Sequence, residues 1–181
     1  HTTARRQRQM CIRDSPDTFL IPFLFIFGSI IGSFLNVVIY RVPKKMSIIK
    51  PRSHCFSCKK SILARDNIPI MGYFLLNGRC RHCDTFYPSR YAFVELITAL
   101  LTICVYFIYG IGQPFLIYLT LTYLLIAITF VDIDHFIIPN GFVLIGIGVL
   151  AFGLYFQWIP ITWEDSLYGS CLLYTSPSPR D

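Results

Sequence analysis

The sequence predicts an all-α polytopic membrane protein with about four transmembrane helices and one small loop domain outside the bilayer. Three observations carry this expectation. Hydrophobic residues make up 54% of the chain and charged residues only 14%, a balance that suits an embedded fold. Four apolar stretches, 19–40, 93–109, 115–131 and roughly 141–158, contain no Lys or Arg. Each approaches the ~20 residues a helix needs to cross the hydrocarbon core, and none has the polar face of a helix from a soluble bundle. Finally, the basic residues are gathered in one loop.

The ends are set aside first. Read back through the genetic code, 5–15 and 171–181 match the two ends of a sequencing adapter. Segments 1–15 and 171–181 are therefore expected to be non-native tails, with the native gene product continuing past residue 170. Without them the net charge falls from +6 to +3 and the seven cysteines to five.

Residues 16–40 are expected to form the first transmembrane helix. Gly28 and Gly32 stand four apart in it, the spacing that lets two helix backbones approach closely, although glycine is also common membrane filler. Residues 41–90 form the loop domain. Every Lys and Arg of 16–170 lies between Arg41 and Arg90, eleven in all, against Asp66 and Asp84. The positive-inside rule makes this loop cytoplasmic. Attraction to anionic headgroups accounts for its charge, so no nucleic acid partner is expected.

The loop carries Cys55-x-x-Cys58 and Cys80-x-x-Cys83, separated by 21 residues. Two such pairs complete a tetrahedral four-thiolate shell for one zinc ion, a closed and therefore structural site. Metal binding would then supply folding free energy to a loop with no large core. His54 and His82 are alternative ligands. A disulfide or redox role is the rival, but it requires an oxidising compartment. Cys104, inside a span, reads as a small apolar residue.

Residues 91–170 are expected to complete the membrane region. The stretch 110–114 reads as a tight external turn, and 131–139 returns to the cytoplasmic face. Trp158 and Trp163 suit the outer interface. Glu95, one turn inside the second span, is expected to pair with Arg90 or Arg41. Asp132 and Asp134 end the third span. They are either an interfacial cap or part of an aspartyl site, which needs one ionised and one protonated carboxylate. Two residues apart on a helix, they point to different faces and make a poor pair by themselves.

Several segments together carry a resemblance. They are Gly32-Ser-Phe-Leu-Asn-Val-Val-Ile-Tyr-Arg-Val-Pro43, the four cysteines, Asp66-Asn-Ile-Pro69, Gly78-Arg-Cys-Arg-His-Cys83, Tyr87-Pro-Ser-Arg-Tyr91 with Val94-Glu95-Leu96, and Asp132-Ile-Asp-His-Phe-Ile-Ile-Pro-Asn140. In order and spacing the chain resembles the bacterial prepilin peptidases/N-methyltransferases over nearly all of 20–160. The cysteine loop separates this branch from the archaeal preflagellin peptidases. The resemblance implies a multi-pass inner-membrane aspartic endopeptidase. It would cleave type IV prepilins or type II secretion pseudopilins after a glycine, then methylate the new N-terminus with S-adenosylmethionine. It implies Asp132 as one catalytic aspartate, seven residues before Pro139, with Asp134 as a supporting or alternative candidate. It also implies Gly78 as a methyl-transfer residue, although a turn glycine is an equally simple reading. The second catalytic aspartate of the family lies in a Gly-x-Gly-Asp motif, which does not occur here. Gly146-Ile-Gly148 precedes Val149 and reads as helix packing. The 181-residue chain is accordingly expected to be inactive in proteolysis. Two other classes stand against this reading: a non-catalytic zinc-loop assembly factor and a membrane thiol oxidoreductase.

Overall fold

A computed structural model describes residues 17–49, 53, 55, 57–62, 66, 68–162, 164–165 and 167–168. Both proposed tails, His54, Asn67 and Trp163 lie outside the described residues. Five helices follow in order: α1 (Asp17–Arg41), α2 (Met71–Leu75), α3 (Arg90–Tyr109), α4 (Gln113–His135) and α5 (Asn140–Tyr155). The all-α expectation holds. The loop between α1 and α3 is built from turns, the short α2 and a β-bridge between Arg79 and Phe86. The chain forms two compact units, His1–Phe107 and Ile108–Asp181.

Helices α1, α3 and α4 have 25, 20 and 23 residues and are long and apolar enough to cross a membrane. The fourth expected span is shorter than its sequence suggested. Helix α5 has 16 residues, ~24 Å at 1.5 Å per residue against a hydrocarbon core of ~30 Å. It stops because Gln157 takes a left-handed backbone, φ 54°. The Trp158 amide then donates to the Gly153 carbonyl at 2.9 Å and the Gln157 amide to Leu154 at 3.1 Å, a Schellman closure. Trp158 folds back, edge-on to Phe152 at 5.3 Å between ring centroids. The same closure ends α1: Lys45 is left-handed, and the Met46 amide donates to the Arg41 carbonyl at 3.1 Å.

In the first unit, α1 packs against α3 through its glycines. A Cβ on Gly28 would lie 2.5 Å from Thr102 Oγ1 and 2.8 Å from Ala99 Cα, and one on Gly32 would lie 2.7 Å from Glu95 Cα. Both glycines are therefore packing residues, which settles the two readings the sequence left open. The facing side of α3 is fully buried at Val94, Thr98, Ala99 and Thr102. The two threonine hydroxyls donate to carbonyls one turn back, Val94 at 2.6 Å and Thr98 at 2.8 Å, so no polar atom is stranded in the contact. Phe19, Phe23, Phe93 and Phe107 are exposed, as lipid-facing residues are.

In the second unit, α4 starts after a turn in which Gly110 has φ 64°, and Pro114 sits in its first turn, where a missing amide costs nothing. Tyr109 and Tyr118 stack at 4.0 Å. The tight glycine here is Gly153, whose Cβ would lie within 2.7 Å of both Ile159 and Ile117 side chains. The packing expected of Gly146 and Gly148 is corrected. Gly146 has only an ordinary contact with Leu124, and nothing lies within 4 Å of a Cβ on Gly148.

Replacing Gly32 with leucine is expected to destabilise the α1–α3 pair by about 1–3 kcal/mol, the cost of overpacking a filled interface. Unfolding by SDS titration in mixed micelles, compared with Gly148→Leu as the uncrowded control, measures it.

Candidate metal centre and the acidic end of α4

The cysteine loop consists of two turns with one hydrogen-bond pattern. In the first, the Cys55 amide donates to the Lys60 carbonyl at 3.0 Å, Lys59 to Cys55 at 2.9 Å, and Ile62 to Ser53 at 2.9 Å. In the second, Cys80 donates to Thr85 at 2.9 Å, Asp84 to Cys80 at 3.0 Å, and Tyr87 to Gly78 at 2.7 Å. The offsets are the same in both. The residue after the second cysteine is left-handed in each, Lys59 at φ 56° and Asp84 at φ 52°. The sequence shows no internal repeat beyond the paired cysteines. The duplication resides in the backbone, which curls each pair so that amides point at the first sulfur.

The two turns bring all four sulfurs within 4.8 Å of one another. Cys55 Sγ lies 3.7 Å from Cys83 Sγ, and Cys58 Sγ 4.0 Å from Cys80 Sγ. A tetrahedral zinc site with bonds of ~2.3 Å requires sulfurs ~3.8 Å apart, so the donor set fits a single four-coordinate ion. All four thiols are free of disulfides. His82 contributes its backbone amide to the Cys80 sulfur, and the group that can hold a metal among the described residues is the four cysteines.

The electrostatics differ within each pair. Cys55 is 2% exposed and Cys80 5%, a setting that by itself disfavours a thiolate. The Cys58 amide, reinforced by the Tyr87 hydroxyl and the Ser57 amide, nevertheless holds Cys55 at about 6. Cys80 is lowered too, chiefly by the His82 amide. Cys58 moves the other way: the Lys60 amide opposes the shift, but burial and the neighbouring thiols push it to about 11. The first cysteine of each turn is thus the one whose thiolate the backbone favours, and a dication would displace the remaining protons. The Tyr87 hydroxyl is shared between the sulfurs of Cys55 and Cys80, and burial first, then these bonds, raises its own pKa. Sequence reasoning placed Tyr87 in a motif but not at the thiolates. Its only signal there was its position seven residues after Cys80.

The ligand turns are tied to the rest of the loop. Arg81 grips Asp66 with two hydrogen bonds, 3.0 and 2.6 Å. Gly78, two residues before Cys80, has φ 65°, and a Cβ there would lie 2.9–3.0 Å from the Tyr73 ring. Both facts demand glycine. The ion pair expected for Glu95 is corrected: its carboxylate accepts from the Ile70 amide at 2.7 Å and meets the Ser33 hydroxyl, not Arg41 or Arg90. Cys104 is exposed on α3.

In the second unit, Asp132 and Asp134 occupy the last turn of α4, Asp132 half-buried and Asp134 exposed. They face apart, as their spacing predicts. Phe136 closes the helix in a left-handed conformation, its amide donating to the Asp132 carbonyl at 2.8 Å.

Fold and site together define a polytopic membrane protein whose first loop carries a four-thiol cluster able to hold a metal ion. Residues 26–109 match the Bacterial Peptidase A24 N-terminal domain. The chain is 37% identical over 163 residues to an enzyme of Escherichia coli O78:H11 named for processing the leader peptides of type 4 prepilin-like proteins, covering 78% of this chain and 60% of that one. It is 36% identical to a prepilin leader peptidase/N-methyltransferase of Myxococcus xanthus (85% and 46% covered) and 35% identical to that of Neisseria gonorrhoeae (87% and 63%). Over 26–109 the chain is similar to the N-terminal domain of the bacterial A24 peptidases, and over most of its length it is similar to these prepilin leader peptidase/N-methyltransferases. It spans about half to three fifths of the length of these relatives. No solved structure matches it.

Purified protein is expected to carry one zinc ion per chain by elemental analysis; a metal-free protein with four titratable thiols rejects the centre. Tyr87→Phe is expected to weaken metal affinity by roughly 10–100-fold, as loss of a partner that orients a ligand does, measured by chelator competition. Cys55→Ser is expected to abolish stoichiometric binding.

Proposed function

We propose that the gene product is an aspartic endopeptidase of the bacterial inner membrane that removes leader peptides from type IV prepilins or type II secretion pseudopilins and then methylates the exposed N-terminus. The observation that carries this reading is the four-thiol module itself. It lies within 26–109, the stretch that matches the A24 N-terminal domain, and the relatives that align across it are named for both activities.

The roles divide as follows. Asp132 is one of the two catalytic carboxylates. Ionised, it takes a proton from the attacking water while a protonated partner carboxyl polarises the scissile carbonyl. Its half-buried position favours it over exposed Asp134, because partial exclusion of water strengthens a carboxylate's interaction with a second acid. Asp134 supports the helix end. The zinc ion, when bound, cross-links the two turns and supplies no open position for chemistry. Gly78 holds the backbone turn that leads into Cys80 and leaves room for the Tyr73 ring, so its part in methyl transfer is positional. S-adenosylmethionine is the methyl donor. The concentration of basic residues in 41–90 supports a cytoplasmic loop, where cysteines stay reduced.

In membranes from cells expressing the native gene product, Asp132→Asn is expected to abolish prepilin cleavage, while Asp134→Asn retains measurable activity. Immunoblots of prepilin and mature pilin read the result, and the reverse outcome moves the assignment to Asp134. A membrane-impermeant maleimide is expected to leave Cys58 and Cys83 unlabelled in intact cells. Labelling there reverses the orientation and favours a thiol oxidoreductase.

A further inference from the structure

A cavity of about 600 Å³ lies between the cysteine turns and the α1–α3 pair, within the first unit. Its size falls in the ~300–1,000 Å³ range of small-molecule sites. One side of it follows a helix that enters the bilayer, and the other lies in the basic loop.

On the membrane side the wall is a single stripe of α1. Ile30, Ser33, Phe34, Val37, Tyr40 and Arg41 line the cavity, at the three- and four-residue spacings of one helix face. From Ile30 to Arg41 the stripe rises about 16 Å at ~1.5 Å per residue, close to half of a hydrocarbon core of ~30 Å. Ile30 and Phe34 are each 52% exposed. The stripe therefore starts at the depth of acyl chains and ends at the depth of headgroups, where Arg41 closes α1.

The charged lining is net basic: Arg41, Lys60, Arg79 and Arg81 stand against Asp66 and Glu95. Both acids are already engaged. Asp66 binds the Arg81 guanidinium at 2.6 Å. Glu95 accepts from the Ile70 amide at 2.7 Å and meets the Ser33 hydroxyl. That bond holds a strained turn in place. Ile70 has φ 62° and ψ −57°, and the Met71 amide donates to the Pro69 carbonyl at 2.6 Å. This is a γ-turn of the rarer hand, centred on a β-branched residue that avoids positive φ. Glu95 thus belongs to the frame of the cavity. The sulfurs of Cys55 and Cys80, also in the wall, take hydrogen bonds from backbone amides and the Tyr87 hydroxyl.

Three cations remain, each from a different segment. Arg41 is fixed by its Nη1, which donates to the Ser47 and Ile48 carbonyls at 2.9 and 3.1 Å. Lys60 and Arg79 are exposed and form no ion pair among the described residues; the Arg79 guanidinium lies 5.2 Å from the Phe86 ring. Like charges gathered on one cavity repel, and an anion between them relieves that cost. A soluble phosphate compound has no use for Ile30 and Phe34, and a neutral lipid leaves the cations unmatched.

We infer that this cavity holds one anionic phospholipid, with an acyl chain along the α1 stripe and its phosphate among Lys60, Arg79 and Arg41. The lipid then joins the cysteine turns to α1, and the basic charge of the loop acts at a defined site as well as through general attraction to the membrane surface. The inference is independent of the proposed peptidase and methyltransferase chemistry, because it requires only that α1 enters the bilayer.

The test is native mass spectrometry of the full zinc-loaded chain in detergent, titrated with phosphatidylglycerol or phosphatidylcholine. Wild type is expected to bind one phosphatidylglycerol saturably, and phosphatidylcholine at least about tenfold more weakly. Lys60→Gln with Arg79→Gln is expected to weaken phosphatidylglycerol binding by about 30-fold, two basic residues at about 1 kcal/mol each. Val37→Trp, which fills the stripe from α1, is expected to weaken it by about tenfold. Zinc content reports folding, and if the double variant loses zinc, Val37→Trp decides. Equal affinity for the two lipids overturns the site, as does wild-type affinity in both zinc-loaded variants. Displacement of the lipid by sn-glycerol 3-phosphate, with Val37→Trp unchanged, overturns it in favour of a soluble phosphate compound.

Discussion

The four-sulfur cluster is the constraint on which the basic loop depends. Between Arg41 and Arg90 the described chain has one five-residue helix and a β-bridge, too little to bury a core. Among its buried apolar residues are Cys55 and Cys80 themselves. Two turns that differ in sequence adopt one hydrogen-bond pattern because each must direct backbone amides at a sulfur and hold two thiols on one centre. The left-handed residues Lys59 and Asp84 are a consequence: reversing the chain immediately after each cysteine pair requires positive φ.

From that cluster the order passes to the helices by two routes. Asp66 fastens the segment between the cysteine pairs to Arg81, beside Cys80. Four residues on, the Ile70 amide docks on Glu95 of α3. Glu95 is also the residue whose backbone faces Gly32 of α1. The close approach of α1 and α3, the buried carboxylate and the strained turn are therefore one arrangement. A larger side chain at Gly32 would displace α3 and, with it, the anchor of the loop. Asn36 adds a second tie between the helices, donating to the Tyr91 carbonyl at 3.0 Å.

Much of this is legible in the chain's own residue pattern. Apolar runs locate helices because each backbone must satisfy its own hydrogen bonds in lipid, and Cys-x-x-Cys pairs announce ligands because the spacing matches a single turn. What is not legible depends on contacts between distant segments. Tyr87 is an ordinary aromatic until folding sets its hydroxyl at two thiols. Glu95 suggests an arginine partner by proximity in sequence, whereas its partner is an amide 25 residues away. The end of α5 is hidden because Trp158 continues the apolar pattern, and only the left-handed turn at Gln157 shows that the helix has already stopped. Gly146 and Gly148 have the look of packing residues, but spacing alone does not say whether a neighbour approaches.

By itself the sequence determined that this is a membrane protein, which stretch forms its basic loop, that four thiols are spaced as ligands of one metal, and that the acids Asp132 and Asp134 end a helix on separate sides. Each of these follows from composition or from periodicity within a single element. Only the tertiary structure decided that Gly28 and Gly32 are contacts rather than filler, that Glu95 anchors a strained turn, and that a cavity opens beside Gly78. Those outcomes depend on which side chains from remote parts of the chain share a small volume, and local spacing contains no information about that.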